Sequence, residues 1–169
     1  MVKDSSEKTL GNLKEAFAGE SQANRKYLAF AQQADAEGLP QIARLFRAAA
    51  DAETVHAHAH LRAMDGVGST KENLEAAVGG ETFEFKSMYP GMIEQADADG
   101  EDEAKMSFMN ANSVEQIHAG LYQKYLNSMD SVPAADIYVC QVCGNTVENE
   151  APDVCPICAS PKSEFKKID

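Results

Sequence analysis

Phe46-Arg47-Ala48-Ala49-Ala50-Asp51-Ala52-Glu53-Thr54-Val55-His56-Ala57 and Phe108-Met109-Asn110-Ala111-Asn112-Ser113-Val114-Glu115-Gln116-Ile117-His118-Ala119 share one pattern, F-x2-A-x3-E-x2-H-A. The second copy starts 62 residues after the first, at Phe108 against Phe46. Glu and His three apart on a helix point to one side and can hold one metal ion together. The repeat extends upstream at the same offset: Gln33-Ala34-Asp35-Ala36-Glu37-Gly38 answers Gln95-Ala96-Asp97-Ala98-Asp99-Gly100, and Tyr27 answers Tyr89. A Glu precedes each Tyr by about two helical turns, Glu20 in the first half and Glu81 and Glu84 in the second. The pattern predicts a duplicated helical hairpin, each copy carrying Glu and then Glu-x-x-His. Two such hairpins make a mainly α, four-helix bundle around a carboxylate-rich metal site.

Helical periodicity and breakers set the expected elements. Ser5 or Ser6 caps a first helix through Leu10, Leu13, Phe17, Glu20, Asn24, Tyr27 and Ala31, and Gly38-Leu39-Pro40 ends it. Pro40 opens a second helix that stops before Asp65-Gly66. Ser69 or Thr70 caps a further helical stretch, which Gly79-Gly80 is expected to interrupt before the Glu81 helix. Pro90 inside that third helix is expected to kink it, since it has no N–H to donate. Asp99-Gly100 closes the hairpin, and a fourth helix runs from about Asp102 to Met129. Ser131–Ala135 then reads as a linker, giving domains at 1–132 and 136–169.

The tail differs in kind. All four cysteines fall within it, as Cys140-x2-Cys143 and Cys155-x2-Cys158, a spacing that reads as a tetrathiolate metal site. So short a segment cannot build a full core, so the metal is expected to supply much of its folding energy. Gly144 and Ala159, the small residues after each second Cys, leave room for backbone N–H groups to turn toward sulfur. Four thiolates suit zinc or iron. Iron is the reading adopted, because a redox-capable centre in the bundle needs an electron port.

Glu20, Glu53, Glu81, Glu84 and Glu115 would be costly inside an apolar bundle unless paired or metal-bound. With His56 and His118 they form a hard, oxygen-rich set suited to iron or manganese. Tyr27 and Tyr89 are placed either as core aromatics or as hydroxyl donors to ligand carboxylates. His58 is expected on the solvent side, and His60 reads as an ordinary surface or interface His. The net charge of -12 disfavours nucleic acid and anionic membranes as partners. No apolar run approaches the ~20 residues of a membrane span. The opening Met1–Glu7 has no apolar core, so no secretory signal is expected and the cytoplasm is the expected address.

Ala16-Phe17-Ala18-Gly19-Glu20-Ser21-Gln22-Ala23, Gly80-Glu81-x-x-Glu84, Met88-Tyr89-Pro90, the two Glu/His pairs, and Cys-x2-Cys-Gly with Cys-Pro-x-Cys together resemble the rubrerythrin family. The resemblance covers essentially the whole chain. It implies a ferritin-like bundle with a rubredoxin-like C-terminal domain, a di-iron centre, and one iron on the four cysteines. It further implies a peroxidase that reduces hydrogen peroxide to water in oxidative-stress defence, supplied by a reductase or a rubredoxin-like electron carrier. By similarity Glu53 and Glu115 bridge the irons, Glu20, Glu81 and His118 are terminal ligands, and Glu84 and His56 exchange with redox state. Two positions depart from the family pattern: Ser87 stands where a Glu is frequent, and Asn145 replaces an aromatic after the first cysteine pair.

Competing readings are ferritin-like iron oxidation and storage, a di-iron oxygenase needing a deep apolar pocket beside the irons, and a zinc-stabilised interaction module. A homodimer or larger assembly is expected, either head-to-tail or with exchanged hairpins. The cysteine domain begins beyond the end of the fourth helix, so its metal is expected to lie far from its own chain's bundle site, with electrons crossing between chains.

Overall fold

The structure, a computed structural model, describes residues 6–169 and divides into two compact units, Met1–Gly68 and Ser69–Asp169. The first unit is a hairpin of α1 (Glu7–Ala36) and α2 (Pro40–Ala63). Ser6 caps α1 by accepting the Thr9 N–H, a bond worth ~1 kcal/mol; Ser5 lies outside the described residues. Gly38, at φ 73°, turns the chain, and Pro40 opens α2 where a missing N–H costs nothing. Ala31, Ala34 and Ala43 are fully buried against Phe46, because small side chains let the two helices approach closely. Buried Asn24 donates to Ala50 O at 2.7 Å and to Thr54 Oγ1 at 2.8 Å, which locks the register of α1 on α2. Either group left unpaired there would cost ~1–3 kcal/mol.

The second unit opens with α3 (Thr70–Phe83), capped by a reciprocal Ser69/Glu72 box. Gly79-Gly80 does not interrupt α3. A glycine costs only ~1 kcal/mol in a helix, and packing along α5 (Asp102–Asn127) offsets that. The disturbance comes later, as a π-helical turn over Glu84–Met88, before α4 (Tyr89–Asp99). Pro90 occupies the first turn of α4, so the bond it cannot donate is absorbed by a widened turn rather than left broken. Gly100, at φ 72°, caps α4 in the left-handed region. The repeat seen in the sequence recurs in three dimensions: Tyr27 packs on Phe46 at 6.2 Å and Tyr89 on Phe108 at 6.3 Å.

After α5 a short turn, Met129–Ser131, reverses the chain into a three-stranded antiparallel sheet ordered β2-β1-β3. Its strands are β1 (Ile137–Cys140), β2 (Thr146–Glu148) and β3 (Phe165–Ile168). This reversal overturns the expected separation of the cysteine domain from its own helix. Glu148 on β2 accepts a 2.8 Å hydrogen bond from Tyr125 and pairs with Lys124, both on α5. A Cβ added at Gly144 would meet Val114 of α5 at 3.7 Å, so the first cysteine turn lies against the helix one residue from Glu115. Sequence spacing gave the length of the helix but not the direction of the chain after it.

Candidate metal centres

The first unit gathers Glu20 from α1 with Glu53 and His56 from α2, their ligand atoms lying within 4.8 Å of one another. His56 Nδ1 is 2.8 Å from Glu53 Oε2 and 3.9 Å from Glu20 Oε1, and its side chain is 54% exposed. In the second unit Glu81 joins Glu115 and His118 within the same 4.8 Å limit, with His118 Nδ1 at 2.7 Å from Glu115 Oε2. Helix spacing makes each Glu–His pair, and antiparallel packing supplies the third carboxylate. Each triad sits within its own unit.

In the second triad the carboxylates lie close enough to disfavour one another's charge. Burial, then the charge of Glu115 and a hydrogen bond to it, push Glu81 up to about 7. Glu84, at the start of the π turn, is raised by burial and then by Glu115. Tyr89 is raised by burial and then by the charges of Glu84, Glu115 and Glu81. Tyr27 packs against Phe30 and Phe46. His58 is exposed and His60 half-buried.

The cysteines converge from two turns. Sγ of Cys140 and Cys158 are 3.7 Å apart and those of Cys143 and Cys155 3.6 Å. A metal–sulfur bond of ~2.3 Å in a tetrahedron requires an edge of roughly 3.8 Å, so the donors fit one tetrathiolate ion. Gly144 and Ala159 both have positive φ, 84° and 60°. That turns the N–H of Asn145 toward Cys143 and that of Ser160 toward Cys158. Burial raises Cys158, but the Ser160 hydroxyl and N–H and two neighbouring thiols outweigh it and bring it down to about 6. Burial pushes Cys143 far up. A cluster with one readily ionised thiol and one strongly disfavoured one is completed by a cation that takes all four as thiolates.

Sequence reasoning marked Asn145 only as a departure from the family pattern and missed Thr146 altogether. Asn145, 1% exposed, donates its side-chain amide to Cys155 Sγ at 3.6 Å. Thr146 Oγ1 lies 2.9 Å from His118 Nε2, on the ring edge opposite Glu115. No motif signals Thr146, because its contact depends on the chain reversal after α5. A cavity of about 550 Å³ beside α3, α5 and the sheet is lined by Leu74, Leu121, Tyr125, Val139, Thr146 and His118. None of Glu81, Glu84 or Glu115 lines it, so this largely apolar space adjoins the Thr146 edge of the imidazole and not the carboxylates.

The profile of the rubrerythrin family matches residues 11–126, and that of the rubrerythrin rubredoxin-like domain matches residues 138–166. The chain belongs to the rubrerythrin family. It is 35% identical to rubrerythrin-2 of Clostridium acetobutylicum over 91% of this chain and 93% of that protein. Nigerythrin of Nitratidesulfovibrio vulgaris is 36% identical, over 93% and 85% of the two chains. A solved mixed-valence nigerythrin aligns at TM-score 0.58 and 36% identity, covering 99% of this chain and 92% of that one. Fully reduced, all-ferrous nigerythrin gives TM-score 0.59 and 34% identity over the same shares. The fold class is accordingly the mainly α, ferritin-like one with a small rubredoxin-like domain, and the cofactor set is that of the rubrerythrins: a di-iron centre and one iron on four cysteines. Among the described residues no helix is long and apolar enough to cross a membrane.

Proposed function

We propose that this rubrerythrin-family oxidoreductase is a peroxidase: hydrogen peroxide, two electrons and two protons give two waters. The observation that carries the reading is the pairing of two Glu–Glu–His triads with a tetrathiolate site seated against the helix of the second triad. When bound, two irons in the bundle would supply the electron pair for the O–O bond, and an iron on the four cysteines would return electrons singly. The ultimate donor is a reductase or rubredoxin-like carrier, and the protein works in the cytoplasm in oxidative-stress defence. The bundle, 1–132, and the cysteine domain, 136–169, divide these tasks.

Within that scheme Glu53 and Glu115 would be shared between the two ions, and Glu20, Glu81 and His118 would each hold one. Glu84 and His56 would alternate as ligands, the anionic carboxylate suiting the more highly charged state and neutral imidazole the lower one. His56 is half-exposed, with Nδ1 beside Glu53 and more distantly Glu20, so its ring is open to solvent on the other side. Glu84 sits on a π turn, where the backbone departs from regular helix and a side chain can be re-aimed. Tyr89 donates its hydroxyl to the carboxylate cluster, and Tyr27 holds the corresponding place in the first hairpin.

One site needs both triads. In a ferritin-like bundle the second and third helices run parallel. His56 lies seven residues before the end of α2 and Glu81 eleven after the start of α3. If the two triads are level in such a bundle, the ends to be joined would be about 27 Å apart along its axis at 1.5 Å per residue. The connection, residues 64–69, reaches roughly 20–25 Å. That shortfall favours a dimer in which chains exchange hairpins, each site taking one triad from each copy. The cavity beside His118 does not favour oxygenation of an organic substrate, because no carboxylate ligand lines it.

The test separates the two centres. Glu53→Ala should abolish peroxide reduction while keeping the tetrathiolate colour. Cys140→Ser should leave chemically reduced protein able to consume peroxide once, with donor-driven turnover stopped. Near-normal turnover in Glu53→Ala would overturn the assignment.

A further inference from the structure

We propose that Thr146 of the cysteine domain is a positioning residue for the bundle site: its hydroxyl fixes the ring orientation and proton placement of His118. The inference rests on His118 being a metal ligand, as in the functional reading above. Thr146 Oγ1 is 3.1 Å from Gly144 O and 2.9 Å from His118 Nε2. A hydroxyl has one proton to give. Gly144 O is a pure acceptor and takes it, so Thr146 offers His118 only a lone pair. His118 must then carry its proton on Nε2 and donate it to Oγ1. That leaves Nδ1 as the free donor atom on the side where Glu115 lies 2.7 Å away. Metal-binding imidazoles are ordinarily held by such a partner on the far nitrogen, commonly a carboxylate or carbonyl. Here the partner belongs to the other domain, two residues beyond the carbonyl that orients it.

The consequence is reciprocal. Cys143, Gly144 O, the Thr146 hydroxyl and His118 form one short connected path from the tetrathiolate cluster to the second triad. Docking of the small domain therefore sets the bundle ligand, and the ligand in turn holds the domain in place. Glu148, two residues on, is fixed to Tyr125 and Lys124, and this keeps β2 in register with α5.

The test uses the full chain with the cysteine site filled, and reads ferrous-ion affinity of the bundle site by anaerobic equilibrium dialysis. Thr146→Val keeps the shape and suits a strand but has no hydroxyl, and should bind ferrous ion roughly 10–100-fold more weakly. Thr146→Ser restores the lone pair and should bind close to the parent. A valine variant as tight as the parent overturns the proposal, as does a serine variant as weak as valine. Retained tetrathiolate colour shows that the small domain is folded; if valine loses it, Thr146→Ala carries the same comparison. The two readings fail separately. A parent inactive toward peroxide but with this affinity pattern refutes the peroxidase alone. An active parent with no affinity difference refutes the role of Thr146 alone.

Discussion

Replacing Glu115 by Gln should strengthen the metal-free protein and weaken the metal-loaded one. Burial and then the Glu115 carboxylate raise Glu81 from 4.5 to about 7 in the metal-free chain. A folded-state value above the unfolded one means that the folded protein holds the extra proton. The carboxyl therefore costs stability increasingly as pH climbs from 4.5, and the cost is complete above about 7. At face value the shift is worth roughly 3.4 kcal/mol, but Glu81 is partly exposed and solvent screening reduces this to ~1 kcal/mol. Glu115 causes only part of the rise, so its neutralisation should return ~0.5 kcal/mol at pH 8 and almost nothing near pH 5. Gln offers an amide N–H that can donate to the bare His118 Nδ1, so that contact survives. The assay is urea unfolding of metal-free full-length protein at both pH values. With a slope of ~2 kcal/mol/M, the pH 8 midpoint should rise by about 0.2–0.3 M. With iron present the sign reverses, because a 100-fold loss of affinity removes about 2.7 kcal/mol of ligand stabilisation. A metal-free Gln variant less stable than the parent at pH 8, or a gain equal at both pH values, would refute the reasoning.

Further outcomes concern the small domain. The Lys124 and Tyr125 side chains hold Glu148 below the usual carboxylate range, so their contribution is complete above 4.5 and lost as pH falls further. The cysteine domain should therefore loosen on α5 below about pH 4.5, and Tyr125→Phe should loosen it at pH 7 by ~1.5 kcal/mol; faster cleavage of the 132–136 linker by protease reads both. Asn145→Leu removes an N–H donor from Cys155 Sγ and should lower the midpoint potential of the tetrathiolate iron, measured by spectroelectrochemistry. An unchanged or higher potential would show that this amide does not stabilise the reduced cluster.

The helices were legible because their signals are local. Ser6, Ser69, Pro40 and Gly100 act within one turn, and Glu-x-x-His at helical spacing brings its two side chains together whatever the rest of the chain does. Gly79-Gly80 misled because propensity is a weak prior that packing against α5 overrides. Pro90 marked the right helix for a disturbance, but the form it takes, a π turn ending at Met88, depends on how the freed carbonyl is re-satisfied. Least legible was the interdomain contact. Thr146 is an ordinary residue in the sequence, and gains its role only when β2 is laid beside His118. Such a contact spans 28 positions and leaves no periodicity to read.

The most direct test of a peroxidase fed by the cysteine domain is anaerobic mixing of fully reduced, iron-loaded, full-length protein with one equivalent of hydrogen peroxide. The visible colour of the ferric tetrathiolate and the peroxide remaining are followed together. The expected result is one peroxide reduced to water for every two electrons lost, with the tetrathiolate oxidised far faster than in Glu53→Ala protein under the same conditions. Peroxide left unconsumed, or a tetrathiolate that oxidises equally fast in the Glu53→Ala variant, would contradict it.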